Sequence, residues 1–216
     1  MLEVVATFAV SYFIGSIPIG YLIVQKKSHV DIRDSGSGRS GGFNVFVVTK
    51  SKLAGMLVGA LDSLKGLLVI LAAGFVFPHS FFHGCLALLG AIAGHNYPVW
   101  TKFKGGRGLA TAAGGMLILG LNYALVWCVI WVTTKVLLKR EILVSNITAI
   151  MLTPAVLWLI PWNLMSHLHF DQVDDWTFLF FSCTLSMMLL LSHIDAMNEV
   201  WKGTPKEHVE DTPSHT

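Results

Sequence analysis

The sequence is poor in charge. Only 13% of its 216 residues are Asp, Glu, Lys or Arg, whereas 54% are hydrophobic and the mean hydropathy is +0.64. Soluble globular domains carry about 25% charged residues, so this composition excludes that class. The formal net charge is +2 and no polybasic tract occurs, so we expect no nucleic-acid partner. The composition therefore indicates an integral membrane protein.

Cysteine and the familiar cofactor motifs are scarce as well. Cys85, Cys128 and Cys183 lie far apart in apolar runs, which excludes a disulfide framework and a cysteine zinc site. The sequence contains no Walker sequence, no dinucleotide fingerprint after a strand, no H-E-x-x-H helix and no Ser-His-Asp arrangement. We therefore expect chemistry without a bound metal, a cofactor or a covalent nucleophile.

Long apolar runs, in contrast, are abundant, and about 20 apolar residues suffice to cross a bilayer. They predict an all-α protein with about seven transmembrane helices. The fourth is too short to cross alone, so it is either a half-helix buried in protein or continuous with the fifth. The predicted spans are Val4–Val24, Leu53–Phe77, Phe81–Trp100, Leu109–Leu119, Leu121–Leu138, Val144–Ile160 and Trp176–Ser192.

The basic residues predict the orientation. Lys and Arg concentrate in cytoplasmic loops, and here they cluster in alternate connections and in the tail. This places the N-terminus outside and the C-terminus in the cytoplasm, with one membrane domain over 1–201 and a polar tail over 202–216. The residues concerned are Lys26, Lys27, Arg33, Arg39, Lys50, Lys52, Lys102, Lys104, Arg107, Lys135, Lys139, Arg140, Lys202 and Lys206.

Two stretches on the predicted cytoplasmic side mix glycine with cations. They are "RDSGSGRSGGFN" (Arg33–Asn44) and "KFKGGRG" (Lys102–Gly108), and each precedes a helix. Backbone N–H groups beside a cation at a helix N-terminus form a site for phosphate. The alternative is that the glycines only allow sharp turns between packed helices. The candidate binding residues are Gly36, Ser37, Gly38, Arg39, Asn44, Lys104, Gly105, Gly106 and Arg107.

Ionisable residues also occur inside or beside the apolar runs. Asp62 and Lys65 lie three residues apart in the second span, where charge is costly, so they form either a structural ion pair or a substrate contact. His95 and His193 lie at the ends of two spans, where a histidine either meets a polar ligand or caps the helix.

Taken in order, five segments resemble one family. They are "GSIPIGYLI", "IRDSGSGRSGGFNVF", "DSLKG", "GHNYPVWTKFKGGRGLATAAG" and "HIDAMNEVWKGT". Their order and spacing are similar to those of the bacterial acyl-phosphate glycerol-3-phosphate acyltransferases, and the likeness covers essentially the whole chain. The most specific part is the long segment that begins at Gly94.

The resemblance implies a seven-helix inner-membrane enzyme of phospholipid biosynthesis. Its members transfer a fatty acyl group from acyl phosphate to glycerol 3-phosphate, giving lysophosphatidic acid and phosphate without a metal. The resemblance further implies that Lys104, Arg107 and His193 act in catalysis and that Ser145 lies near the glycerol. The expected partners are these two substrates and membrane lipid.

The chain departs from the family pattern at several of these positions. In the first loop Arg39, Gly42, Phe43 and Val47 replace Asn, Ala, Thr and Arg. Leu143 and Asn146 replace two Ser, Ala196 replaces an Asn, and Arg107 replaces a Lys. Two alternatives therefore stay open: an inactive relative that binds phosphorylated lipid precursors, or an enzyme for another phosphorylated acceptor. A transporter of phosphorylated metabolites is a third, and no repeated half supports it.

Because Val47 removes a family cation, we predict that Arg39 restores the missing charge from a neighbouring position. Replacement of Arg39 by Ala should then weaken glycerol 3-phosphate binding by about tenfold or more, as expected for a lost charge-assisted hydrogen bond. Unchanged affinity in a calorimetric titration would refute this assignment.

Overall fold

The computed structural model describes residues 1–161 and 173–201. Over these residues the chain is helical and contains no β-strand, which confirms the predicted all-α class. Short 3₁₀ turns cover Ile32–Asp34 and Val99–Thr101, and a π-turn covers Thr133–Leu137. The helices are α1 (Leu2–Gly15), α2 (Ile19–Ser28), α3 (Gly42–Thr49), α4 (Lys52–Val76), α5 (Phe81–Asn96), α6 (Leu109–Leu119), α7 (Leu121–Val132), α8 (Ile142–Leu159), α9 (Asp175–Ser192) and α10 (Ile194–Trp201).

Each predicted span contains a helix, but the helices differ in length. Four segments of the described chain are long and apolar enough to cross a bilayer: Leu2–Ser28, α4, α8 and α9. Two more, α6 and Leu121–Leu137, are apolar but shorter. The seven crossings and the orientation of the termini stay predictions, and the tail over 202–216 lies outside the described residues.

The first predicted span is two helices rather than one. Helix α1 ends at Gly15 and α2 begins at Ile19, with Pro18 at its N-cap. Proline has no N–H to donate and disfavours helical geometry in the residue before it, so a helix ends here. The indole of Trp100 donates to the hydroxyl of Ser16 across 2.9 Å, which ties the break to the 3₁₀ turn that follows α5.

A second break separates the fourth and fifth predicted spans. Gly120 is extended, with φ −179° and ψ 84°, and it lies between the end of α6 and the start of α7. The two spans are therefore not one continuous helix. With its 11 residues, α6 is about 16 Å long, about half the thickness of the hydrocarbon core.

Close packing of small residues brings the helix ends together. A Cβ atom at Gly114 of α6 would lie 1.8 Å from the carbonyl oxygen of Ser63 in α4, and one at Gly94 of α5 would lie 2.0 Å from that of Tyr12 in α1. Such approaches are typical of helix contacts in membranes, where packing drives association. The buried side chains of Leu88, Ile92, Met116, Leu185 and Leu189 fill the centre of the bundle.

The connectivity gathers the polar segments at one end of the bundle. Helix α5 ends beside the start of α6, and Ser192 at the end of α9 donates its hydroxyl to the carbonyl of Arg107 across 2.8 Å. Helix α4 follows α3 directly and packs against α5 and α6, and the carboxylate of Asp62 lies 3.5 Å from Nδ1 of His95 near the end of α5. Both glycine-rich stretches and the start of α10 therefore lie at the same end.

Candidate active site

The two glycine-rich stretches predicted to bind anions are joined to each other. The backbone N–H of Ser40 donates to the carbonyl of Gly105 across 3.3 Å, and the guanidinium of Arg33 donates to the carbonyl of Thr101 across 3.2 Å. Arg33 is itself held by Asp31. The two stretches thus form one continuous surface, which the sequence predicted only as two sites on the same side.

A cavity of about 540 Å³ opens between this surface and the helices α4 and α8. Four of the residues predicted as site residues line it: Ser37, Arg39, Asn44 and Arg107. Its complete lining is Ser37, Arg39, Gly41, Gly42, Phe43, Asn44, Phe46, Lys52, Gly55, Met56, Gly59, Asp62, His95, Arg107, Gly108, Leu109, Ala110 and Asn146.

The backbone N–H groups of three loop glycines donate hydrogen bonds to carbonyls within the protein. Gly105 donates its N–H to the carbonyl of Asn96 across 3.1 Å, and Gly106 donates to that of His95 across 3.0 Å. Gly38 likewise donates to the carbonyl of Ser35 across 3.1 Å. These glycines therefore shape the turns, and their N–H groups do not point into the cavity as an anion-binding set.

Two helix N-termini supply backbone donors instead. Gly42 and Phe43 begin α3, Leu109 and Ala110 begin α6, and all four line the cavity. The first amides of a helix have no acceptor within the helix, and the helix dipole adds partial positive charge there. The cavity is thus bounded by two groups of donors suited to a phosphate.

Asn44 organises the first stretch. Its side chain is buried, its amide nitrogen donates to the carbonyl of Arg39 across 2.7 Å and to that of Ser35 across 3.0 Å, and its amide oxygen accepts from the N–H of Ser37 across 3.0 Å. These bonds hold the turn from Ser35 to Arg39 in shape. Gly36, with φ +58°, needs the freedom of glycine within that turn.

The charges around the cavity favour an anion. Arg39, Lys52 and Arg107 contribute three cations, whereas the carboxylate of Asp62 is paired with Lys65. Arg39 also forms an ion pair with Asp195 of α10, whose side chain is 77% exposed. Exposed pairs are weak, so an incoming phosphate competes with Asp195 at little cost. Lys104 is exposed and lies outside the lining.

The predicted ion pair between Asp62 and Lys65 is present, and both side chains also contact residues outside α4. The ammonium of Lys65 lies 2.9 Å from Asp62 and donates to the carbonyls of Gly15 and Ile17 across 3.1 and 3.0 Å. His95 places Nδ1 3.5 Å from the same carboxylate. Asp62 and His95 also line the cavity, so the structural role and contact with a ligand are compatible.

His193 is fully buried between α9 and α10 and does not belong to the cavity lining. Its Nδ1 lies 2.7 Å from the carbonyl of Leu189, so this nitrogen carries the proton and donates. Burial is the main cause that lowers the pKa of His193 to about 4; the charges of Arg107 and Arg39 act in the same direction, and the hydrogen bond to Leu189 opposes them. The ring is therefore neutral at pH 7, and its Nε2 is an acceptor without a hydrogen-bond partner among the described residues.

The structure places the remaining predicted residues away from the cavity surface. Ser145 is buried and donates its hydroxyl to the carbonyl of Glu141 across 2.9 Å. Its neighbour Asn146 lines the cavity instead. Of the positions that depart from the family pattern, Leu143 and Ala196 are buried, whereas five line the cavity, namely Arg39, Gly42, Phe43, Arg107 and Asn146.

Comparisons with known proteins agree with this architecture. A family model described as glycerol-3-phosphate acyltransferase matches residues 5–203. The glycerol-3-phosphate acyltransferase of Rhodopseudomonas palustris strain BisB5 is 34% identical over 201 residues, which are 93% of each chain. Glycerol-3-phosphate acyltransferase 3 of Dehalococcoides mccartyi strain ATCC BAA-2266 is 46% identical over 121 residues, which are 51% of this chain and 56% of that one.

Solved structures give the same result. The glycerol 3-phosphate form of PlsY (YgiH), an integral membrane glycerol 3-phosphate acyltransferase, superposes with a TM-score of 0.74 at 30% identity over 95% of this chain and 94% of that one. Its lysophosphatidic acid form superposes with a TM-score of 0.72. The chain therefore belongs to the glycerol-3-phosphate acyltransferase family of integral membrane enzymes.

Proposed function

We propose that the cavity is the site where a fatty acyl group passes from acyl phosphate to the sn-1 hydroxyl of glycerol 3-phosphate. The products are lysophosphatidic acid and inorganic phosphate. The observation that carries this proposal is the combination, in one cavity, of three cations and two helix N-termini with apolar side chains. Both substrates carry phosphate, and one also carries a long hydrocarbon chain, so this combination suits both.

The reaction needs positioning and charge neutralisation more than a nucleophile from the protein. The sn-1 oxygen attacks the carbonyl carbon, the bond from this carbon to the bridging phosphate oxygen breaks, and the hydroxyl proton ends on a phosphate oxygen. Arg39, Arg107 and the amides at the start of α3 and α6 stabilise the negative charge on the departing phosphate. Two substrates held in contact supply a further large part of the acceleration.

In this proposal His193 binds glycerol 3-phosphate, the substrate that accepts the acyl group. His193 follows Ser192, which bonds to Arg107 of the cavity lining, and its neutral ring keeps Nε2 as a buried acceptor that matches a glycerol hydroxyl. The proposal requires glycerol 3-phosphate to displace the side chains that cover this nitrogen. Lys104 is exposed outside the cavity lining, where its ammonium attracts anionic substrates. Gly36, Gly38, Gly105 and Gly106 keep the loops in shape around the site.

The apolar part of the lining accommodates the acyl chain. Phe43, Phe46, Met56 and Leu109 line the cavity beside the donors, and Met56 is 64% exposed on the side of α4. An acyl phosphate entering from the bilayer keeps its chain in apolar surroundings while its phosphate reaches the helix ends. The basic loops favour an orientation with this end in the cytoplasm and the N-terminus outside.

Phosphate release by the purified protein tests the proposed activity. In lipid mesophase with palmitoyl phosphate and glycerol 3-phosphate, release is expected only when both substrates are present. His193→Ala should lower the rate by about tenfold to a hundredfold, because it removes the acceptor for the glycerol hydroxyl. The control is His79→Ala, at an exposed residue beyond the other end of α4. Binding of both substrates without turnover would contradict the proposal and favour a non-catalytic binding protein.

Two glycines on α4 test whether the cavity holds the acyl phosphate. A Cβ at either Gly59 or Gly74 meets open space, but only Gly59 lines the cavity. Gly59→Leu should raise the KM for palmitoyl phosphate by about tenfold or more, because it fills the cavity and displaces the substrate. Gly74→Leu, the matched control, should leave the kinetics unchanged. An equal effect of the two substitutions would show that the substrate binds elsewhere.

A further inference from the structure

Asn146 is a cavity residue with a fixed orientation. It lies in α8, one turn after the helix begins, and it lines the cavity together with Arg39 and Arg107. The indole nitrogen of Trp131 lies 2.7 Å from its Oδ1. Indole N–H is only a donor, so the amide atom that it contacts must be the oxygen. This contact therefore determines which way the amide is turned.

In this orientation the amide nitrogen of Asn146 remains available to donate hydrogen bonds to a ligand in the cavity. Its Oδ1 is taken by Trp131, and Nδ2 has no hydrogen-bond partner within 1–161 and 173–201. An NH₂ group donates two hydrogen bonds and accepts none. The atom that fits beside it in the cavity is therefore an acceptor oxygen, in agreement with the surrounding cations.

Trp131 is itself held in place outside the cavity. It lies on α7, which packs against α8, and it stacks on Trp127 with ring centroids 6.3 Å apart and planes inclined by 18°. Trp131 does not belong to the cavity lining. Its effect on a ligand therefore passes through Asn146.

We propose that Asn146 donates a hydrogen bond to a phosphate oxygen of a substrate and that Trp131 is its positioning residue. The inference deepens the proposed function and rests on it, since it assigns a ligand to the same cavity. Ser145, the neighbouring residue, donates to a backbone carbonyl and does not line the cavity, so Asn146 takes the place of a hydroxyl donor at this point of α8. Both substrates carry the required oxygen, and kinetics distinguishes which of them is bound.

The experiment measures KM for palmitoyl phosphate and for glycerol 3-phosphate separately in four variants. Asn146→Ala should raise the KM of the substrate whose phosphate it contacts by about tenfold to a hundredfold, as expected for a lost hydrogen bond to a charged group. Asn146→Asp keeps the size and the bond from Trp131 but offers a carboxylate, so it should raise that KM more. Unchanged KM values in both variants would overturn the proposal.

The tryptophans provide a matched pair for the positioning role. Trp131→Phe removes the N–H that holds Asn146, and it should raise the same KM as Asn146→Ala. Trp127→Phe should leave KM unchanged, because the indole nitrogen of Trp127 has no hydrogen-bond partner in the part of the chain that the structure describes. Equal effects of both Trp variants would indicate packing alone and overturn the role of Trp131.

A double variant separates positioning from general damage. If Trp131 acts only through Asn146, Trp131→Phe should add no further loss in the Asn146→Ala background. Additive losses would overturn the coupling. If the wild-type protein shows no turnover, the proposed function fails by itself, and calorimetric titration of glycerol 3-phosphate and of palmitoyl phosphate into the same variants still decides whether Asn146 binds phosphate. Lost affinity in Asn146→Ala supports the inference, and unchanged affinity overturns it.

Discussion

The buried ion pair between Asp62 and Lys65 is the interaction on which the polar end of the bundle depends. Removing two charges from water is costly, and their attraction offsets this only when the remaining donors and acceptors are satisfied. Here the ammonium of Lys65 also binds the two carbonyls freed where α1 ends before Pro18. One side chain thus joins α4 to the break between α1 and α2, while the carboxylate of Asp62 faces His95 at the end of α5.

The cavity follows from this arrangement of helix ends. Close packing of small residues aligns α4 with α6 and α1 with α5, so α3, α6 and α10 begin near one another. Backbone hydrogen bonds from the loop glycines give the turns a fixed shape. The first N–H groups of α3 and α6, which have no acceptor within their helices, supply donors to the cavity. In the proposed reaction a phosphate in the cavity would meet preorganised dipoles and flexible cations together, which suits a leaving group of this charge.

Much of the fold could be predicted from the sequence, because apolar runs and basic loops are local signals. Seven helical segments were found in this way, and Pro18 carried the signal for the break that the predicted first span overlooked. The fusion of the fourth and fifth spans was an open alternative, and Gly120 decides it locally. Within the described residues, the helices thus differ from the predicted spans at Pro18 and Gly120, where proline and glycine interrupt the helix.

The site was less predictable, because its contacts are distant in sequence or depend on helical phase. Arg39 and Asp195 are 156 residues apart, and nothing in either segment indicates the other. Ser145 and Asn146 are neighbours, but one residue turns a helix by about 100°, and only the packing of α7 on α8 decides which of them faces the cavity. The glycine motif indicated phosphate, yet which amides remain open depends on bonds from Gly105 and Gly106 to the end of α5.

The most direct test of the central role of the ion pair is to remove one charge and measure both stability and ligand binding. Lys65→Met leaves Asp62 buried without its partner, so the account predicts a loss of about 3 to 5 kcal/mol in the free energy of unfolding, together with weaker glycerol 3-phosphate binding. Lys26→Met, at an exposed lysine, is the control, and Asp62→Asn added to Lys65→Met should recover part of the stability. Unchanged stability and binding in Lys65→Met would contradict the account.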